Sequence, residues 1–160
     1  MIDKDVFQKA ENLLQTCRDA GLTVATVESC TGGLVAGSLT EVAGSSDVVE
    51  RGFVTYTNEA KNELVGVPME LFEQVGAVSE EVARAMAAGG LAQSRADIAV
   101  GITGVAGPGQ SENKPAGLVH ICAARKGGDT IHERCMFDGD RSAVRKASIL
   151  KAFALIESLV

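Results

Sequence analysis

The stretch Thr26-Val27-Glu28-Ser29-Cys30-Thr31-Gly32-Gly33-Leu34 sets a carboxylate, a hydroxyl, a thiol, a second hydroxyl and two glycines between an apolar strand-like run and a helical apolar pattern. Ser29 and Cys30 are its candidate nucleophiles. A serine hydroxyl is a weak nucleophile at neutral pH and needs a base to take its proton. A cysteine near a helix start ionises more readily, because the N–H groups there favour a thiolate. Side chains alternate along a strand, so residues 29 and 30 are expected to face opposite sides, with one of them in the pocket. Thr31 is expected to cap the following helix, leaving the amides near Gly32 and Gly33 open to an anion or oxyanion. An ordinary strand-to-helix turn, with glycines for close packing, reads equally well from this stretch alone.

A base must come from elsewhere. The chain has two histidines, His120 in an apolar strand pattern and His132 in a hairpin pattern. Neither sits in a polar motif beside a carboxylate, which weighs against a Ser-His-Asp triad. Lysine is the other base that partners serine. It must be neutral to accept a proton, which takes desolvation or cationic neighbours. Lys61 ends a second polar stretch, Thr55-Tyr56-Thr57-Asn58-Glu59-Ala60-Lys61, which holds the only tyrosine of the chain. Tyr56 could relay the proton or hold a substrate. Taken singly, Lys61 also reads as a solvated lysine on a short amphipathic helix.

A third stretch runs from Thr103 and Gly104 through Gly107 and Ser111 to Pro115. A glycine-rich loop of this length usually carries function. It matches neither the dinucleotide fingerprint nor the P-loop, yet its N–H groups can line a carbonyl or phosphate site. Lys114, Arg141 and Arg145 are available to neutralise a phosphate, and the two arginines lie one helical turn apart. Arg145 reads as a solvated surface residue. Each of the three stretches follows a predicted strand. Three strand ends meeting at one carboxyl edge would make a single pocket.

Those strands and their helices follow from periodicity. Helical spacing covers residues 3–20, with apolar positions at Val6, Ala10, Leu13, Leu14 and Cys17 and a stop at Gly21. Strands are expected at 22–27, at 48–57 with a bend at Gly52, at 97–103, at 118–124 and at 130–137. Helices are expected at 31–41, at 59–65 behind an Asn58 cap, at 68–75, after a Ser79 cap, and after Asp138-Gly139-Asp140. The strand at 97–103 is apolar throughout, as burial on both faces requires. The pattern predicts one α/β domain over residues 1–160, a three-layer α/β/α sandwich with a mixed sheet. The run Ala87-Ala88-Gly89-Gly90 is costly inside a helix and implies close packing, within the chain or across a homodimer or higher homo-oligomer.

Composition bounds the rest. The chain has 160 residues, 46% hydrophobic but only 4% aromatic and without tryptophan, so its core is built from Ala, Val, Leu and Ile. The formal net charge of −6, with no basic cluster, argues against a nucleic-acid partner. No apolar run is long enough for a membrane span, and the start lacks the form of a signal peptide. A reducing cytoplasm is expected. Cys17, Cys30, Cys122 and Cys135 form no C-x-x-C pair, and no histidine stands at ligand spacing, so no metal site is expected.

The three constellations, in this order and spacing, resemble the CinA C-terminal domain family, described as nicotinamide mononucleotide deamidases. The residues that carry the likeness are 26–34, 50–61, Gly76-Ala77-Val78-Ser79, 103–108 and Lys114-Pro115-Ala116-Gly117-Leu118-Val119. It extends over roughly residues 8–155. The segment Gly109-Gln110-Ser111-Glu112-Asn113 departs from the usual Gly-Gly form. The resemblance implies hydrolysis of the carboxamide of nicotinamide mononucleotide to nicotinate mononucleotide and ammonia, with no cofactor and no metal. It implies a serine nucleophile and lysine base, carried onto Ser29 and Lys61, with Tyr56 beside them. Glu28, Thr31, Gly32, Gly33, Thr103, Gly104, Gly107, Ser111 and Arg141 are the expected contacts to this small nucleotide. The alternatives are a non-catalytic nucleotide-binding module and an amidase for another nucleotide amide.

Overall fold

A computed structural model describes residues 2–160. Five strands, β1 (Val24–Glu28), β2 (Val49–Val54), β3 (Ile98–Gly104), β4 (Leu118–Arg125) and β5 (Thr130–Met136), form one sheet in the order β2-β1-β3-β4-β5. β1 runs parallel to β2 and β3, whereas β4 and β5 return antiparallel. The residues following Glu28, Val54 and Gly104 therefore leave the sheet at one edge, as the three polar stretches require. Six helices cover the sheet: α1 (Lys4–Ala20), α2 (Leu34–Thr40), α3 (Asn58–Val65), α4 (Met69–Gln74), α5 (Glu80–Ala92) and α6 (Arg141–Glu157). None is long and apolar enough to cross a membrane.

The two faces of the sheet differ in side-chain size, and this sets the layers. Val24, Ile98, Val100, Ile102, Val119 and Ile121 point into the larger core, under α1, α2 and α6. Ala25, Ala99, Gly101, Cys122 and Ala124 alternate onto the other face, where α5 lies close. A Cβ on Gly101 would sit 2.7 Å from the Ala83 carbonyl oxygen, and one on Gly90 would sit 2.6 Å from Val27 Cγ2. A Cβ on Gly89 would strike the Val65 carbonyl oxygen. The Ala/Gly run of α5 is thus used for packing inside the chain, and the ground for reading it as a dimer contact is gone.

Ser79 caps α5 with its side chain, as expected, and Asp3 and Asp140 do the same for α1 and α6. Two starts differ. α3 is capped by Thr57, whose hydroxyl accepts from the Ala60 amide, so Asn58 is already helical. α2 begins three residues later than its pattern suggests, for a reason found at the site. β2 is an edge strand, and its irregularity falls at Glu50, which the register skips, rather than at Gly52.

Candidate active site

β1 ends at Glu28, and the next residue presents the hydroxyl of interest. The Ser29 amide is fixed by the Ile102 carbonyl on β3 at 3.0 Å. Lys61 lies in the first turns of α3, which folds back over the end of β2. Its Nζ sits 3.2 Å from Ser29 Oγ, 3.0 Å from the Thr55 carbonyl and 3.3 Å from the Tyr56 carbonyl. Lys61 is only 2% exposed, so it is not the solvated lysine of the alternative reading. Burial lowers its pKa; the nearby Cys30, Glu112 and Glu59 work in the opposite direction. A neutral amine here can donate its two N–H groups to the carbonyls and offer its lone pair to the Ser29 hydroxyl.

Ser29 and Lys61 open into a cavity of about 310 Å³ walled by Thr103, Gly104, Gly107, Ser111 and Arg141 of the expected set. Cys30 lines it too. β1 has already ended at Glu28, so strand alternation does not govern residues 29 and 30, and Cys30 belongs to the large core cluster while bordering the cavity. Burial pushes the Cys30 thiol up to about 11, the reverse of the activation a helix start could give.

Four expected substrate contacts lie elsewhere. Glu28 is 1% exposed, and its carboxylate accepts from the Val35 amide at 2.8 Å, the Ala36 amide at 3.0 Å and Thr26 Oγ1 at 3.2 Å. It closes the N-terminus of α2 from inside, so that helix start faces no anion and needs no Thr31 cap. Thr31, Gly32 and Gly33 are absent from the cavity wall. Thr31 is fully buried, and its hydroxyl has no partner among the described residues. Gly32 and Gly33, at φ +60° and +96°, make the left-handed turn that delays α2.

Tyr56 contributes to the dyad through its backbone. Its carbonyl lies at Lys61, whereas its exposed phenol accepts from Arg141 Nη2 at 3.3 Å. A proton relay by the phenol is therefore not what the geometry offers. Arg141 Nη1 also donates to the Gly107 carbonyl at 2.7 Å, which sets its guanidinium at the rim. Arg145 is not a solvated residue: it donates to the carbonyls of Cys30 at 3.2 Å and Thr31 at 3.1 Å, bracing the turn that carries Ser29. Lys114 is no phosphate ligand of this cavity, because its ammonium is spent on the carbonyls of Val75 and Val78. Thr103 Oγ1 donates to the Ala77 carbonyl at 2.7 Å.

Asn58, Ala77, Val78, Gln110 and Glu112 also wall the cavity. Asn58 belongs to the second polar stretch, whereas only loop length and the Gly76-to-Ser79 likeness hinted at the others. A carboxylate does stand near a histidine: His132 Nδ1 lies 3.5 Å from Glu80 Oε1, and its Nε2 lies 2.9 Å from His120 Nδ1. Neither ring lines the cavity that holds Ser29.

A family model described as the CinA C-terminal domain matches residues 6–160. The chain is 50% identical over 156 residues to the nicotinamide-nucleotide amidohydrolase PncC of Escherichia coli K12, covering 97% of this chain and 93% of that protein. It is 47% identical over 153 residues to a CinA-like protein of Geobacter sulfurreducens, covering 92% of this chain but 37% of that longer protein. The competence/damage inducible protein CihA of Agrobacterium tumefaciens superposes with a TM-score of 0.95 at 45% identity, over 99% of this chain and 98% of that one. A CinA superfamily protein from Escherichia coli superposes at 0.93 with 33% identity, over 100% and 94%. With both the sequence model and the solved folds spanning nearly its whole length, the chain belongs to the CinA C-terminal domain family.

Proposed function

We propose that this chain hydrolyses the carboxamide of nicotinamide mononucleotide, giving nicotinate mononucleotide and ammonia for pyridine nucleotide salvage. The observation that carries the reading is the 3.2 Å approach of a buried lysine amine to Ser29 Oγ inside a nucleotide-sized cavity. The printed name of the Escherichia coli relative supports the substrate.

Ser29 Oγ attacks the amide carbon and passes its proton to neutral Lys61. The carbonyl becomes an oxyanion. Main-chain amides of the glycine-rich loop are its proposed donors, since those of Ala106, Gly107, Gly109 and Gln110 meet no acceptor among the described residues. One such donor is typically worth about 10² to 10³ in rate. The C–N bond then breaks, and Lys61 returns the proton to departing ammonia. Water, deprotonated by the same amine, cleaves the acyl-enzyme and frees Ser29. Arg141, at the rim and joined to Gly107, is the proposed phosphate ligand. Its fork suits an oxyanion pair better than a lysine does.

Ammonia release from nicotinamide mononucleotide, assayed for the wild type beside Ser29→Ala, tests the reading. The expected result is release by the wild type alone. Release from a different nucleotide amide only, or equal release by the variant, would overturn it.

A further inference from the structure

The glycine-rich loop ends in a tight hairpin. Ser111 and Lys114 exchange main-chain hydrogen bonds at 3.0 and 2.8 Å, with Glu112 at φ 55° and Asn113 at φ 60° between them. Two left-handed residues in succession define a turn that selects Asn, Asp or Gly. Glutamate is a poor choice at its first position. Such a residue persists where its surroundings over-determine it, and a broken local rule of this kind points to function.

The surroundings are the segment after α4. Glu112 Oε1 accepts from the Ala77 amide at 3.0 Å and Oε2 from the Val78 amide at 3.2 Å. Lys114 Nζ donates to the Val75 carbonyl at 2.8 Å and to the Val78 carbonyl, and lies 3.4 Å from Glu112 Oε2. Gly76 passes beneath both side chains. A Cβ there would sit 2.6 Å from Glu112 Oε2 and 2.9 Å from Lys114 Nζ, and φ of +80° already disfavours one. Burial alone would push the Glu112 carboxyl up in pKa, but the Val78 and Ala77 amides and Lys114 hold it below its ordinary value, so it stays ionised. Between this clasp and β3 lies the loop whose Ala106, Gly107, Gly109 and Gln110 amides meet no acceptor among the described residues.

We infer that Glu112 and Lys114 are positioning residues, which clasp the glycine-rich loop to Gly76–Val78 and so hold the wall of the cavity opposite Ser29 in its binding shape. The clasp acts through the loop: the Ser29–Lys61 pair is held by the carbonyls of Thr55 and Tyr56, and only the Glu112 charge reaches it, opposing the fall in the Lys61 pKa. Loosening it lowers affinity without removing the nucleophile or base. The substrate meant here rests on the preceding proposal.

Backbone hydrogen exchange of residues 105–114 reads the clasp with no substrate present. Glu112→Ala and Lys114→Ala should each speed that exchange by about tenfold or more, while α1 and β3 stay protected as a check on folding. In turnover, Lys114→Ala should raise KM for nicotinamide mononucleotide by about tenfold with kcat within roughly threefold, and Glu112→Ala should raise KM by at least as much. Lys114→Arg, which keeps a donor for both carbonyls, should recover most of that loss. Binding of the same nucleotide to Ser29→Ala should weaken in parallel when Glu112→Ala is added. If wild type releases no ammonia, the proposed reaction falls, whereas exchange and binding still decide the clasp. Unchanged loop exchange in both variants, or faster exchange with unchanged KM and binding, would overturn it.

Discussion

The carboxylate of Glu28 accepts the Val35 amide at 2.8 Å, across the turn that carries Ser29. The helix start that the sequence offers to an anion is thereby filled by the chain's own side chain. An internal ligand braces the turn and leaves no open helix start for the cavity.

Glu28→Ala leaves the Val35 and Ala36 amides without an acceptor in a buried site. The expected loss is about 2 to 6 kcal/mol, since each of the two orphaned groups costs about 1 to 3 kcal/mol. Urea unfolding measures it. A loss under about 1 kcal/mol would mean that water or a shifted turn replaces the carboxylate.

Lys61 makes activity and stability depend on pH in stated directions. Its folded pKa lies below the ordinary 10.5, because burial disfavours the ammonium. The base is the deprotonated form, so kcat/KM should rise with pH to a plateau, with a midpoint below 10.5. For stability, the unfolded chain keeps the proton up to its ordinary value while the folded chain gives it up earlier. Between those two pKa values the unfolded state binds more protons, so stability rises with pH; below both, the cost of the buried charge is constant. Lys61→Met should abolish both trends and lower kcat by about 10² to 10⁴, the usual worth of a general base. A pH–rate profile of the two proteins decides this, and a Met variant with near wild-type turnover would remove Lys61 from the mechanism.

Arg145 holds two consecutive carbonyls, of Cys30 and Thr31, from α6. Arg145→Lys keeps the charge but not the fork that spans them. The expected outcome is a fall in kcat of roughly tenfold or more, because small displacements of a nucleophile are costly. Binding of nicotinamide mononucleotide should change little, so steady-state kinetics with a separate binding measurement separates positioning from substrate contact.

Cys30 borders the same cavity as Ser29, but burial works against its activation. With its thiol pushed up to about 11, it is almost entirely protonated near neutrality. Cys30→Ala should keep ammonia release within about threefold of wild type, because an unactivated thiol carries no step. Loss of turnover in a folded Cys30→Ala protein would reopen the choice between the two.

Much of the fold was legible because its determinants are local. Asp3, Ser79 and Asp140 announce helix starts through a side chain that reaches an amide two or three residues on. The continuous apolar run of β3 announces burial on both faces. Gly101 shows the limit: the sequence contains a glycine, but only the approach of Ala83 and Ala87 on α5 explains why a Cβ is not tolerated there.

By itself the sequence determined the element order and the three polar stretches that follow its strands, and it offered Ser29 and Lys61 as a candidate pair. The tertiary structure decided which of their neighbours serve the site. Glu28 became a helix cap, Arg145 a brace, Lys114 half of a clasp, and the Tyr56 phenol a partner of Arg141. It also decided that Lys61 is buried, which lowers its pKa as the proposed base requires. The physical reason is one of range. Periodicity and caps are read within a few residues, whereas desolvation and hydrogen-bond partners are set by groups tens of residues away.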